Sequence, residues 1–184
     1  MEQKSTFWKS AMIYGLYIGI FFTLFSVLLY VTGQTTNKAL GYISFPLYAL
    51  AIVLAQIHYR NSELNGVISY GQAVGFAVAA MLFSGIISAL YTMILYSFID
   101  PGLVQQMKTI QEEALMQKGM TEEQVDAAMS IMSKMMTPGY MSIMGLVGSV
   151  FIGTIVSLVS SIFVKKLPGE DAFDEAMEDV KTEE

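Results

Sequence analysis

The chain has 184 residues, of which 54% are hydrophobic and 14% charged, with a net charge of −6 and no cysteine. So few charges, against roughly 25% in a soluble domain, argue against a soluble fold, and the lack of cysteine excludes disulfide and thiol chemistry. The negative balance is local, because residues 167–184 hold eight acids and one lysine and sum to −7, leaving +1 on residues 1–166; such a chain is a poor nucleic-acid binder.

The charges leave long gaps. Twenty-eight uncharged residues separate Lys9 from Lys38 and 36 separate Glu63 from Asp100. With His58 taken as neutral, 21 separate Lys38 from Arg60, and 30 separate Lys134 from Lys165. About 20 apolar residues cross a hydrocarbon core of about 30 Å, and a soluble helix needs a polar face that these runs lack. Four spans are predicted, at about 10–32, 40–58, 72–99 and 140–164. The first exceeds the 7–15 residues, roughly, of a cleavable signal's apolar region, and Gly33 to Lys38 offers no cleavage site, so it reads as a retained signal anchor. Pro46 falls near the start of the second span, where a first helical turn tolerates proline. The third is long enough to tilt or to extend into water.

Residues 101–136 differ in kind. Asp100-Pro101 reads as a helix cap followed by proline at the first helical position. Leu103, Met107, Ile110 and Ala114 then recur at helical spacing, and Gly119 fits a stop. Thr121-Glu122-Glu123-Gln124 reads as a capping box, and Val125, Met129, Met132 and Met136 repeat the same spacing before Thr137-Pro138-Gly139. Two amphipathic helices, about 101–118 and 122–136, are predicted between the third and fourth spans. The fold class is therefore all-α: a four-helix transmembrane bundle, 1–166, with a two-helix amphipathic insertion and an acidic cytoplasmic tail, 167–184. The tail's Phe173, Ala176, Met177 and Val180 have helix-like spacing, but a solvated tail is the simpler reading. Lysine and arginine near the span ends set orientation. Lys4, Lys9, Arg60, Lys165 and Lys166 stand on one side against Lys38 and Lys134 on the other, which places both termini in the cytoplasm.

Small residues recur every four positions. Gly15 and Gly19 form a GxxxG; the third span offers Ala80, Ser84, Ser88 and Thr92; the fourth carries Gly145, Ser149, Gly153, Ser157 and Ser161. Such ridges let helix backbones approach in lipid, and they are expected to pack within the bundle rather than between chains or along a substrate path. Nine of the 14 methionines lie between Met107 and Met144. Thioethers suit Cu(I), but the helical spacing favours an adaptable apolar face, so no metal or cofactor is expected and Met129, Met132 and Met136 are the candidate partner face. His58 reads as an interfacial residue, since one histidine builds no zinc site. No Asp, Glu, Lys or Arg lies inside a span, which weakens proton-coupled transport. A channel or facilitator built from hydroxyls and backbone stays open; its seam would be Ser84, Ser88, Thr92, Ser149, Ser157 and Ser161. No nucleotide-binding or metalloprotease motif is present, so no residue is assigned to catalysis.

Three segments in order carry a resemblance: Ile68-Ser69-Tyr70-Gly71-Gln72-Ala73, Phe98-Ile99-Asp100-Pro101 and Gly119 to Gln124. With the GxxxG, the fourth-span ridge and Lys165-Lys166, the chain over about residues 8–166 resembles the bacterial family called domain of unknown function 4199. The resemblance implies a four-span bacterial inner-membrane protein and carries no catalytic residue. The expected function is a non-enzymatic scaffold or accessory subunit of a membrane complex, working with a membrane-protein partner or as a homo-oligomer. The alternative is a small uncoupled facilitator or channel.

Overall fold

The computed structural model describes residues 2–169, with side chains from residue 6 onward. Most of the acidic tail, and with it the helix-like spacing from Phe173 to Val180, lies outside the described residues. In order come α1 (Glu2–Val31), α2 (Lys38–Glu63), α3 (Tyr70–Ile94), a π-helical turn (Leu95–Ile99), α4 (Gly102–Gln117), α5 (Glu122–Met135) and α6 (Pro138–Val164). No β-strand occurs among the described residues. Thr6–Val31, Lys38–Glu63, Tyr70–Ile99 and Pro138–Val164 are each long and apolar enough to cross a membrane, with mean hydropathy between 1.8 and 2.2. The chain is all-α, and these four helices mark it as a multi-pass membrane protein.

Local chemistry sets the helix ends. After α1, Gly33 takes φ +68°, a conformation that costs little without a Cβ. Asn37 caps α2, its side chain accepting from Ala39 N at 3.0 Å. Ser69 and Gln72 form a reciprocal capping box on α3, so part of the first recognisable segment is a helix start. Thr121 and Gln124 form the same device on α5, as the sequence predicts. Gly119, at φ +84°, follows the end of α4, and Thr137 with Pro138 at the first turn opens α6.

Two local expectations change. Pro46 is not in a first turn: α2 begins at Lys38, so Pro46 lies inside the helix and leaves the Tyr42 carbonyl without its amide donor. Asp100 does not cap α4 with its side chain. Pro101 holds the cap position with no side-chain bond, and the Asp100 carbonyl accepts from Leu103 N at 3.2 Å. The cause is the π turn just before it, whose wider ring closes with Asp100 N donating to the Leu95 carbonyl at 2.8 Å.

Helix α3 is the centre. It lies against α1 on one side and α6 on the other, while α2 touches its neighbours more sparsely. Of its most apolar stretch 44% is buried, against 17% for α2. Most of its buried face is small (Ala73, Ala77, Ala79, Ala80, Ser84 and Gly85), with Phe76 and Met81 set among these residues. This lets neighbouring backbones come close, which in lipid is where helix association gains its dispersion energy. Helices α4 and α5 pack mainly on each other, and α4 also meets the π turn.

Candidate functional site

The small ridges divide between two interfaces. On α1, a Cβ at Gly15 would collide with the Ala80 carbonyl oxygen, and one at Gly19 would stand 3.2 Å from Ser84 Cα. The α3 ridge therefore faces α1. The α6 ridge meets α3 one step around: a Cβ at Gly153 would lie 2.8 Å from Met81 Cβ, and Ser149 Oγ presses on Gly85. Ser157 and Ser161 are fully buried. Gly145 is different, since nothing lies within 4 Å of where its Cβ would be.

A polar clasp absent from the sequence reading joins α2, α3 and α6. Gln56 is fully buried. Its Nε2 donates to the Ala73 carbonyl at 3.1 Å and to Ser161 Oγ at 2.9 Å, and its Oε1 accepts from Ser160 Oγ at 2.7 Å. One turn on, Arg60 Nη1 donates to the Val164 carbonyl at 3.0 Å. Ile68 and Lys166 then exchange both backbone hydrogen bonds, at 2.9 and 3.0 Å, and Tyr70 Oη donates to the Leu158 carbonyl at 3.0 Å. Beside this clasp Tyr59 stacks on Phe76 with centroids 3.9 Å apart, and Phe7 and Tyr14 meet Phe76 edge-on. Buried polar groups in a membrane need partners, and Gln56 has all of its own inside the chain.

Three clefts stand out among the described residues. One, of about 580 Å³, lies between α1 and α2 and is lined by Ser10, Tyr14, Tyr17, Phe21, Leu54, His58 and Glu63 among others. Here His58 sits 5.7 Å from the Tyr14 ring. A second, about 310 Å³, lies between α2 and α6 over Met81, with Gly41, Gly145, Gly148 and Ser149 in its wall. A shallow apolar groove follows the same pair of helices past Val53, Val156 and Phe163. The third cleft, about 220 Å³, is rich in hydroxyls: Thr23, Ser26, Ser44, Tyr48, Ser88, Tyr91 and Thr92. The Thr23 and Tyr91 hydroxyls there are buried without a partner among the described residues, and so is Ser84 Oγ. The six hydroxyls of the proposed seam are thus separated. Ser88 and Thr92 line this cleft, Ser149 lines another, and Ser157 and Ser161 are buried in the bundle.

Met129 and Met132 on α5 and Met136 just after it are half-buried, and Ile131 and Met135 are the exposed large apolar side chains. Val125, at the start of the same stripe, is buried. The predicted stripe is therefore the more covered side of α5, a helix that packs mainly on α4. Among the described residues, no three His, Cys, Asp or Glu side chains converge as a metal site requires.

No curated protein and no solved structure matches the chain. The model of one family, described as "Protein of unknown function (DUF4199)", matches residues 13–166. That stretch takes in the α1 GxxxG, the Ser69–Gln72 capping box, the π turn with its Asp100 closure, the Thr121–Gln124 box, the α6 ridge and Lys166. The chain belongs to that family.

Proposed function

We propose that this chain is a non-enzymatic scaffold or accessory subunit of a membrane complex, seated in the bacterial inner membrane with both termini in the cytoplasm. The observation that carries the reading is the α2–α6 face. Gly41, Gly145 and Gly148 line one cleft there, and no atom lies within 4 Å of where a Cβ would sit on any of them. Gly153, further along α6, is used up against Met81. Open glycines on helices that cross a bilayer admit a partner backbone at close range. The apolar groove past Val53 and Phe163 continues the same surface along the helix pair. The excess of Lys and Arg near the ends shared with the termini supports the orientation.

Tagged protein solubilised from its native membranes, purified, and analysed by mass spectrometry tests this. The wild type should recover one membrane protein in constant ratio, or a second copy of itself. Gly145→Leu with Gly148→Leu should lose it without loss of fold. A wild type that repeatedly emerges alone and monomeric would sink the proposal. The facilitator reading is second. The hydroxyl cleft of Thr23, Ser88 and Tyr91 supports it, whereas the division of the seam among separate places counts against a continuous path. Solute-loaded proteoliposomes that leak no faster than empty ones would remove it.

A further inference from the structure

We infer that the cleft between α1 and α2 holds one aminophospholipid drawn from the bilayer, its ammonium group at Glu63 and a chain along Ile18, Phe21, Ala51 and Leu54. This goes beyond the partner reading and does not rest on it, because the partner face lies on the other side of α2.

The cleft is graded from end to end. Ser10, Tyr14, His58 and Glu63 gather at one end; Ile18, Phe21, Ala51 and Leu54 form the other. The two helices run antiparallel here, as the pairings of Tyr14 with His58 and of Phe22 with Tyr48 together require. From Ser10 to Phe21 the lining face extends about 16 Å, at ~1.5 Å per residue. The grading thus runs along the helices, from a polar end near the termini of both to an apolar interior. That is the profile of a single bilayer lipid. At about 580 Å³ the cleft falls within the ~300–1,000 Å³ of small-molecule sites.

Access comes from the side. Tyr17 is 67% exposed, Leu54 56% and Phe21 52%. On helices that cross a membrane this exposure is to lipid, so the occupant arrives from the bilayer and not from water.

The headgroup follows from charge. Glu63 is the one formally charged residue among the described lining residues, and no Lys or Arg lines the cleft. Glu63 also ends α2, where the carbonyl ends of the helix disfavour an anion. The Tyr14 and His58 rings, 5.7 Å apart and tilted at 59°, stand beside it in the lining. A carboxylate beside aromatic faces is the chemistry that receives an ammonium ion. An anionic headgroup would meet the carboxylate and gain nothing there.

The test is native mass spectrometry of the detergent-solubilised full chain, delipidated and then titrated separately with phosphatidylethanolamine and phosphatidylglycerol. One phosphatidylethanolamine should bind per chain, about tenfold more tightly than phosphatidylglycerol, the worth of one contact to a charged group. Glu63→Gln should erase that preference while leaving the melting temperature in place. Leu54→Trp should fill the apolar end and weaken both lipids equally. Equal retention of the two lipids, tighter phosphatidylglycerol, no stoichiometric lipid at all, or a preference that survives Glu63→Gln would each overturn the inference. None of these outcomes bears on partner recovery through Gly145 and Gly148, so the two proposals fail separately.

Discussion

Helices α2 and α3 are both long enough to cross a membrane, with mean hydropathy of 1.8 and 2.2, yet α3 is the core and α2 the periphery. The difference lies in side-chain size. Around Phe76 and Met81, α3 presents Ala73, Ala77, Ala80, Ser84 and Gly85 to its neighbours, so the glycines of α1 and α6 close tightly onto it. α2 presents larger residues and is held at defined points: the Gln56 hydrogen bonds, the Tyr59–Phe76 stack and the Arg60 bond to Val164. In lipid, hydropathy does not distinguish core from rim, because the surroundings are as apolar as the interior. One helix is fixed by continuous close contact, the other by a few polar and aromatic attachments with clefts on both flanks.

The most damaging change should strike the close contact. Gly153→Leu forces a side chain into Met81, and overpacking of this kind costs about 1–3 kcal/mol; we expect the upper end, read as a lowered unfolding midpoint in mixed micelles. Gln56→Leu strikes the point attachment. It leaves Ser161 Oγ without its donor and removes the shorter of the two hydrogen bonds made by the Ser160 hydroxyl, and should cost roughly 1–2 kcal/mol. Its diagnostic is local: hydrogen exchange should quicken in α2 and leave α3 unchanged. If α3 loosens equally, α2 is no peripheral element. Thr121→Ala removes the capping box of α5 for about 1 kcal/mol, and faster exchange confined to α4 and α5 would show that this pair folds apart from the bundle. Gly145→Leu should change stability by less than ~0.5 kcal/mol, since its Cβ would meet nothing. A large loss there would place Gly145 in the core with Gly153.

Much of the framework was legible in sequence because its signals are local. Uncharged runs mark the four long helices, and Gly119 and Thr121–Gln124 mark a stop and a start within a few residues. What could not be read depends on distant partners. Gln56 is one amide in an apolar run, and its bond to Ser161 spans 105 positions. Spacing displays the ridges on α1, α3 and α6, but it does not say that Ala80 and Ser84 face α1 while Met81 and Gly85 face α6. The methionine stripe was visible as a stripe, but its spacing did not show that Met129, Met132 and Met136 would be half-covered. Asp100 misled because a π turn, which leaves no sequence signature, displaced the cap. Pro46 misled because a span begun at residue 40 already puts it in the second turn, and the Asn37 cap, which starts α2 at Lys38, puts it deeper still.

The natural chain has no cysteine, so single cysteines report cleanly on which glycine is open. Cross-linking in native membranes, comparing Gly148→Cys with Gly153→Cys, separates an open α2–α6 face from a closed α3–α6 contact. The cysteine at position 148 should form a discrete cross-linked species with a membrane protein or a second copy, and the one at 153 should stay unreactive against α3. Cross-linking at 153 with none at 148 would contradict both the α3-centred bundle and the open α2–α6 face.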